Sequence, residues 1–303
     1  MKIDQSTIDR FLEPKMLRSL GRLSLMSRRV VEGAQVGSHR SPFKGFSTEF
    51  ADHRQYVKGD DLRHLDWKVF SRTERYYIKQ YEENTNLRGH IILDCSASMN
   101  FPKKPGPGKM TKYEYACRLA AGLAYVLIRQ QDPVGLVMFN EQVVTQLPAM
   151  RSMTHLRRIL RTFDDIAPSS QTDSGKALTA VAGLLKRRGL LIIISDLLDE
   201  PQRITDSLAM FRHRGHDAIV IQVLDHDELN FPFRKRMTFR DMETRENISL
   251  DGAEVAADYT HAINEFIAGF KKSCFEHNFD YMLADTATPY DALLAAMLAR
   301  RQR

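Results

Sequence analysis

Two apolar runs, each ending in an aspartate, constrain this chain more than any other feature. Ile91-Ile92-Leu93 leads into Asp94-Cys95-Ser96-Ala97-Ser98, and Leu190-Leu191-Ile192-Ile193-Ile194 leads into Ser195-Asp196. Short, branched, uninterrupted runs of this kind suit strands buried on both faces of a parallel sheet. Ala218-Ile219-Val220-Ile221 opens a further strand over 218–224. Helical spacing recurs between the strands, at 111–131, 152–163, 174–187 and 201–214. From residue 88 onward, this alternation predicts an α/β fold: a Rossmann-like, doubly wound, mostly parallel sheet with helices on both faces. Two short strands, 133–139 and 142–147, flank an Asn140-Glu141 turn. Residues 229–251 break the rhythm and read as a small hairpin excursion. A long helix (253–277), a last strand (279–283) and a terminal helix (290–301) complete the chain.

In open sheets of this class, ligands bind beyond the carboxyl ends of the strands, where the strand order reverses. Asp94 and Asp196 both stand at such ends. Between them, Gln171-Thr172-Asp173-Ser174-Gly175 forms a polar loop leading into a helix. Asp94, Ser96, Ser98, Thr172 and Asp196 are therefore the candidate ligand set. They offer oxygen alone, which suits a hard divalent cation, Mg²⁺ or Mn²⁺. The competing explanation is that these Ser and Asp residues merely cap the helices that follow.

The set, in that order and strand context, resembles the metal-ion-dependent adhesion site of von Willebrand factor A domains. The resemblance implies Ser96 and Ser98 as direct ligands and Thr172 as a direct or near-direct one, with Asp94 and Asp196 acting largely through water. It also implies an electrophilic ion that takes a partner's carboxylate as its last ligand, which is binding chemistry rather than turnover.

The N-terminal part carries a second signature. It comprises Gly37-Ser38-His39, Gly59-Asp60-Asp61-Leu62-Arg63 and Asp66-Trp67-Lys68, followed by Lys79-Gln80-Tyr81-Glu82-Glu83. This is similar to the bacterial family called domain of unknown function 58 (DUF58), whose members join such a segment to a von Willebrand A-like domain. The likeness divides the chain into a family-specific segment at 1–87 and the A-like domain at 88–303. It implies association with a MoxR-type AAA+ ATPase, as adaptor or co-chaperone, with an acidic residue of the ATPase or its client as the contact. Many relatives carry two membrane-spanning helices before this segment, and the expectation here is the form without them, located in the cytoplasm.

Within 1–87, helix is expected from Asp4 to about Glu32, loop over 33–45, and strands at 45–50 and 76–81. A short helix through Leu62, Leu65 and Trp67 should be capped by Gly59-Asp60-Asp61. Arg40, Arg54 and Arg63 beside Asp60, Asp61 and Asp66 suggest an ion-pair network. Trp67, the single tryptophan, is expected in the core. Asp225-His226-Asp227-Glu228 is expected as a solvated loop on the same rim as the aspartates.

Composition excludes several classes. The chain has 303 residues, 43% hydrophobic and 27% charged, which is globular and not disordered. No apolar run approaches the length of a membrane span. Three widely spaced cysteines, Cys95, Cys117 and Cys274, form no CxxC pair, which argues against a zinc site or a disulfide framework. Cys95 should turn away from Asp94 and behave as a small buried hydrophobe. The net charge of +6 is spread among acids without a basic block. It reads as a mild surface bias towards an acidic partner, and no nucleic-acid partner is expected. The chain is not expected to be an enzyme. The alternative, a Mg-dependent phosphohydrolase using Asp94 as nucleophile, needs a second carboxylate two residues later as general acid, and that position is Ser96. A nucleic-acid-binding protein is the other alternative.

Overall fold

The computed structural model describes residues 8, 10–20, 25, 49–56, 65–82, 88–169, 173–240 and 247–301. Two compact units emerge. One joins Met1–Arg29 to Arg88–Arg303, and the other is Val30–Leu87.

The larger unit is built on a six-stranded sheet. Its strands are β3 (Gly89–Asp94), β4 (Val134–Phe139), β5 (Val143–Met150), β6 (Leu190–Ser195), β7 (Asp217–Leu224) and β10 (Asp280–Asp285). They lie in the order β10-β7-β6-β3-β4-β5. Every pair is parallel except β4 with β5. The expected doubly wound sheet is therefore present. Strands β3, β4, β6 and β7 are buried almost throughout, because helices cover both faces.

On one face, Ile92, Val137, Phe139, Leu191, Ile193 and Val220 pack against helices α5 (Ser174–Leu184) and α6 (Pro201–His213). Alternation sends Ile91, Leu93, Ile192 and Ile194 to the other face, where α3 (Lys112–Arg129) lies against β3. Each such side chain, fully buried, contributes about 1.5–3 kcal/mol, so the apolar runs hold the sheet while its rim is left to polar chemistry. Helix α4 (Met153–Asp165) packs beside α3.

The chain leaves β3 towards β4 and β5, then crosses back to place β6 on the other side of β3. The strand order reverses between β3 and β6, so the crevice of this fold opens there. Beyond β7, the short helix α7 (His226–Asn230) leads to the hairpin β8 (Arg236–Arg240) and β9 (Asn247–Asp251), the expected excursion. Phe231, Phe233 and Phe239 cluster there, and the Phe231 ring lies tilted against Tyr259 of α8 (Gly252–Glu276) at 4.5 Å between ring centroids. Helix α9 (Tyr290–Arg301) closes the chain.

The described residues between 8 and 25 belong to the same unit as the sheet. Helix α1 (Pro14–Leu20) packs against α3 and α9, burying Met16 and Leu20. The single segment expected at 1–87 is thus divided after Arg29.

The second unit pairs β1 (Glu49–Gln55) with β2 (Tyr77–Glu82) in antiparallel fashion around α2 (Trp67–Thr73). Asp66 caps that helix, accepting from Lys68 N and Val69 N at 2.9 and 3.2 Å. Leu65 lies before the helix and is buried. Trp67 corrects an expectation: it is 64% exposed, touching Phe70 edge to face. It occupies the first turn of a seven-residue helix beside a two-stranded ribbon, which offers too little second layer to enclose an indole. The loop expected at 33–45, residues 45–48 of the strand expected at 45–50 and the cap expected at 59–61 lie outside the described residues, while 49–50 begin β1. So do Arg40, Arg63, Asp60 and Asp61 of the suggested ion-pair network.

Candidate metal centre on the sheet rim

Register explains how the rim is assembled. Leu93 of β3 lies opposite Ile194 of β6, so Asp94 and Ser195 end their strands side by side and Asp196 follows immediately. Asp94, Ser96, Ser195 and Asp196 are all wholly buried, and Ser98 is half-buried, where the crevice opens.

Asp94 is held at both oxygens. Oδ1 accepts from Ser96 N at 2.8 Å, and Oδ2 accepts from the Ser195 hydroxyl at 2.6 Å. Burial, and then the neighbouring Asp196 carboxylate, push its pKa up to about 7, against the opposing hydrogen bonds from Ser195 and Ser96. Ser96 begins the short 3₁₀ turn Ala97–Asn100, yet its side chain makes no capping bond. Its Oγ instead lies 3.0 Å from Ser98 Oγ. The capping explanation therefore fails for Ser96: the two hydroxyls converge on each other. Cys95 is buried and faces elsewhere, its Sγ 3.2 Å from Phe139 O, and burial raises its pKa to about 12.

Thr172 lies outside the described residues, although the chain is anchored to the rim on either side of it. Ser169 N donates to Cys95 O at 3.0 Å, and Gly175 N donates to Asp199 Oδ2 at 3.1 Å. Asp173 caps α5 through Lys176 N. Ser174 Oγ, in the first turn of α5, is buried with no hydrogen-bond partner among the described residues.

Asp196 has a partner that sequence reading did not foresee. Lys112, the first residue of α3, is fully buried, and its Nζ lies 2.9 Å from Asp196 Oδ2 and 2.7 Å from Glu228 Oε1. Burial alone would lower the Lys112 pKa, but Asp196 and Glu228 overcome it and hold the ammonium charged. Glu228 itself is raised by burial, with Lys112 opposing. Both shifts are upward, which favours the charged form of the lysine and the neutral form of the glutamate. The contacts of 2.7 and 2.9 Å have the length of charge-assisted hydrogen bonds from the ammonium.

Glu228 also closes a capping box at α7, accepting from Asp225 N at 2.8 Å while Asp225 accepts from Asp227 N at 2.9 Å. The segment 225–228 is therefore a built part of the rim and not a solvated loop. Two signals were legible beforehand. Asp225-x-x-Glu228 has capping-box spacing, and a lysine in the first turn of a helix opposes the helix dipole.

Among the described residues, no group of three His, Cys, Asp or Glu side chains is arranged to hold a metal ion. A site made of hydroxyls and water-bridged aspartates is a different donor set. The residues present fit a hard divalent ion on two counts. The converging hydroxyl and carboxylate donors are all oxygen. Asp94 stands beside Asp196 with no cation of its own among the described residues, while the one buried ammonium there, Lys112, is shared by Asp196 and Glu228. Ser96, Ser98 and Thr172 would hold the ion, with Asp94 and Asp196 behind them. Bound there, it would supply an electrophilic position for an anionic oxygen.

The family known as Protein of unknown function DUF58 matches residues 52–265 of the chain. The chain belongs to this family. Uncharacterized proteins of Mycobacterium tuberculosis and Mycobacterium bovis are 28% identical over 235 residues, covering 77% of this chain and 72% of theirs. The strand order and the parallel core are those of a doubly wound α/β sheet. Two solved structures are similar to this DUF58 protein at low identity. The conserved hypothetical protein BatB from Bacteroides thetaiotaomicron has TM-score 0.47 and 18% identity, covering 71% of this chain and 98% of that one. The SpRpn10 VWA domain has TM-score 0.42 and 11% identity, covering 70% and 95%. No described helix of this DUF58 protein is long and apolar enough to cross a membrane.

Proposed function

We propose that this DUF58 protein is a metal-dependent protein–protein interaction module that presents a Mg²⁺ or Mn²⁺ ion on its sheet rim to a carboxylate of its partner. One observation carries the reading: Ser96 Oγ and Ser98 Oγ converge at 3.0 Å beside the ends of two adjacent strands that carry Asp94 and Asp196. Neutral hydroxyls neutralise little of an ion's charge, so an ion held by them keeps its affinity for an incoming carboxylate. Family resemblance names the partner as a MoxR-type AAA+ ATPase or its client, with this protein as adaptor or co-chaperone in the cytoplasm.

Hydrolysis is the weaker reading. Asp94 is wholly buried with both oxygens engaged, and Ser96 stands where a phosphatase would need its general acid. The test is titration calorimetry with MgCl₂, paired with capture of the ATPase in the presence and absence of EDTA. Ser96→Ala and Ser98→Ala should each weaken metal binding at least ~10-fold, since changes one shell further out already cost about 10–100-fold. Both should weaken partner capture as EDTA does. Equal binding by wild type, Ser98→Ala and chelated protein would remove the rim from the docking surface.

A further inference from the structure

We propose that Lys112 is a resident counter-charge that keeps the metal affinity of the rim low, so that an ion is retained only when a partner's carboxylate arrives with it. The inference rests on the metal-site reading above and concerns this chain's own residues.

The placement of Lys112 is hard to explain by packing. Its side chain is wholly buried, in the first turn of α3, where the helix dipole disfavours a cation. An apolar residue there would cover the sheet without the large desolvation penalty of an ammonium. The chain instead surrounds Nζ with Asp196 at 2.9 Å, Glu228 at 2.7 Å and the Phe101 ring at 5.9 Å from its centroid. The contact with Asp196 carries the argument, because Asp196 also stands behind the proposed ion. An ammonium on one oxygen of that carboxylate draws off charge the ion would use, and it repels the ion directly in a poorly solvated place.

Glu228 sets how strongly Lys112 acts. It takes the second half of the ammonium and is anchored by the α7 capping box. Without it, Lys112 would lean on Asp196 alone. An incoming carboxylate supplies the negative charge that Lys112 cancels, so ion and partner should stabilise each other's binding.

The full-length chain is titrated with MgCl₂ by calorimetry and its thermal midpoint is measured with and without Mg²⁺. Lys112→Met should bind Mg²⁺ at least ~10-fold more tightly than wild type, by removal of a close like charge. Without metal it should melt lower, with Mg²⁺ restoring the loss. Glu228→Gln should shift affinity the opposite way, to weaker binding. If Lys112→Met does not fold, Lys112→Met/Glu228→Gln removes the pair as a unit, and it should bind Mg²⁺ more tightly than Glu228→Gln alone. A purely structural lysine would lower the melting point and leave these affinities unchanged. Measurable but equal affinities with and without Lys112 overturn this inference alone. Absence of Mg²⁺ binding in wild type and every variant overturns the metal reading together with it.

Discussion

Ser195 Oγ donates to Asp94 Oδ2 at 2.6 Å, joining residues 101 positions apart at the ends of β6 and β3. With Ser96 N on the other oxygen, both oxygens of the Asp94 carboxylate are hydrogen-bonded. The rim therefore holds its aspartate in one orientation before any ligand arrives, which is how a buried polar group on a rigid element keeps a site ordered.

Ser195→Ala removes that donor and leaves Asp94 Oδ2 buried without it. The cost should be about 1–3 kcal/mol of stability, seen as a lower urea midpoint with an unchanged slope. Mg²⁺ affinity should fall about 10-fold or more, as for other residues that orient ligands. Unchanged unfolding curves would show that the hydrogen bond contributes nothing net.

Asp94→Asn should have opposite effects with and without metal. The Asp94 pKa is raised by burial and by Asp196, so its charge is unfavourable in the metal-free protein. A neutral amide of the same shape relieves that repulsion and should raise the metal-free melting temperature. Mg²⁺ should raise the melting temperature of wild type and leave the variant's unmoved. A variant that melts lower without metal would show that the charge is already compensated.

Gly175→Ala tests the placement of the loop that carries Thr172. A Cβ at Gly175 would lie 2.4 Å from Arg203 Cβ, where α5 crosses α6. Overpacking of this kind costs about 1–3 kcal/mol, and the strain falls on α5 directly after the loop. Thermal denaturation should show the loss, and Mg²⁺ affinity should drop alongside it. Full retention of both would mean that the two helices separate freely.

At the opposite end of the sheet, burial pushes His90 down to about 4, with the charges of His216 and Arg88 adding to the effect. Its folded pKa lies below the unfolded value, so the stability it contributes is complete above about pH 6.5 and is lost as pH falls towards 4. With EDTA present, the melting temperature of wild type minus that of His90→Asn should shrink between pH 7 and pH 4. Taking the difference removes the opposing contribution of Asp94. A difference independent of pH would mean that His90 protonates as easily folded as unfolded.

The sequence by itself determined the sheet. A strand covered on both faces must be apolar at every position, so Ile91–Leu93 and Leu190–Ile194 declare themselves without reference to neighbours. The aspartates that end them, and the Ser96–Ser98 pair, were legible for the same reason: a polar residue at the end of such a run marks the rim. The hairpin excursion showed as a break in that rhythm. Tertiary structure alone decided which charges meet. Lys112 and Glu228 are 116 residues apart and are joined only because α3 and α7 emerge at the same end of the crossed strands. Likewise, only packing showed that Met16 and Leu20 belong to the sheet unit and that Trp67 stays outside a core. Apolar periodicity records whether a residue is buried, which is a local property. The pairing of a buried charge depends on strand order and register, which exist only once the chain has folded.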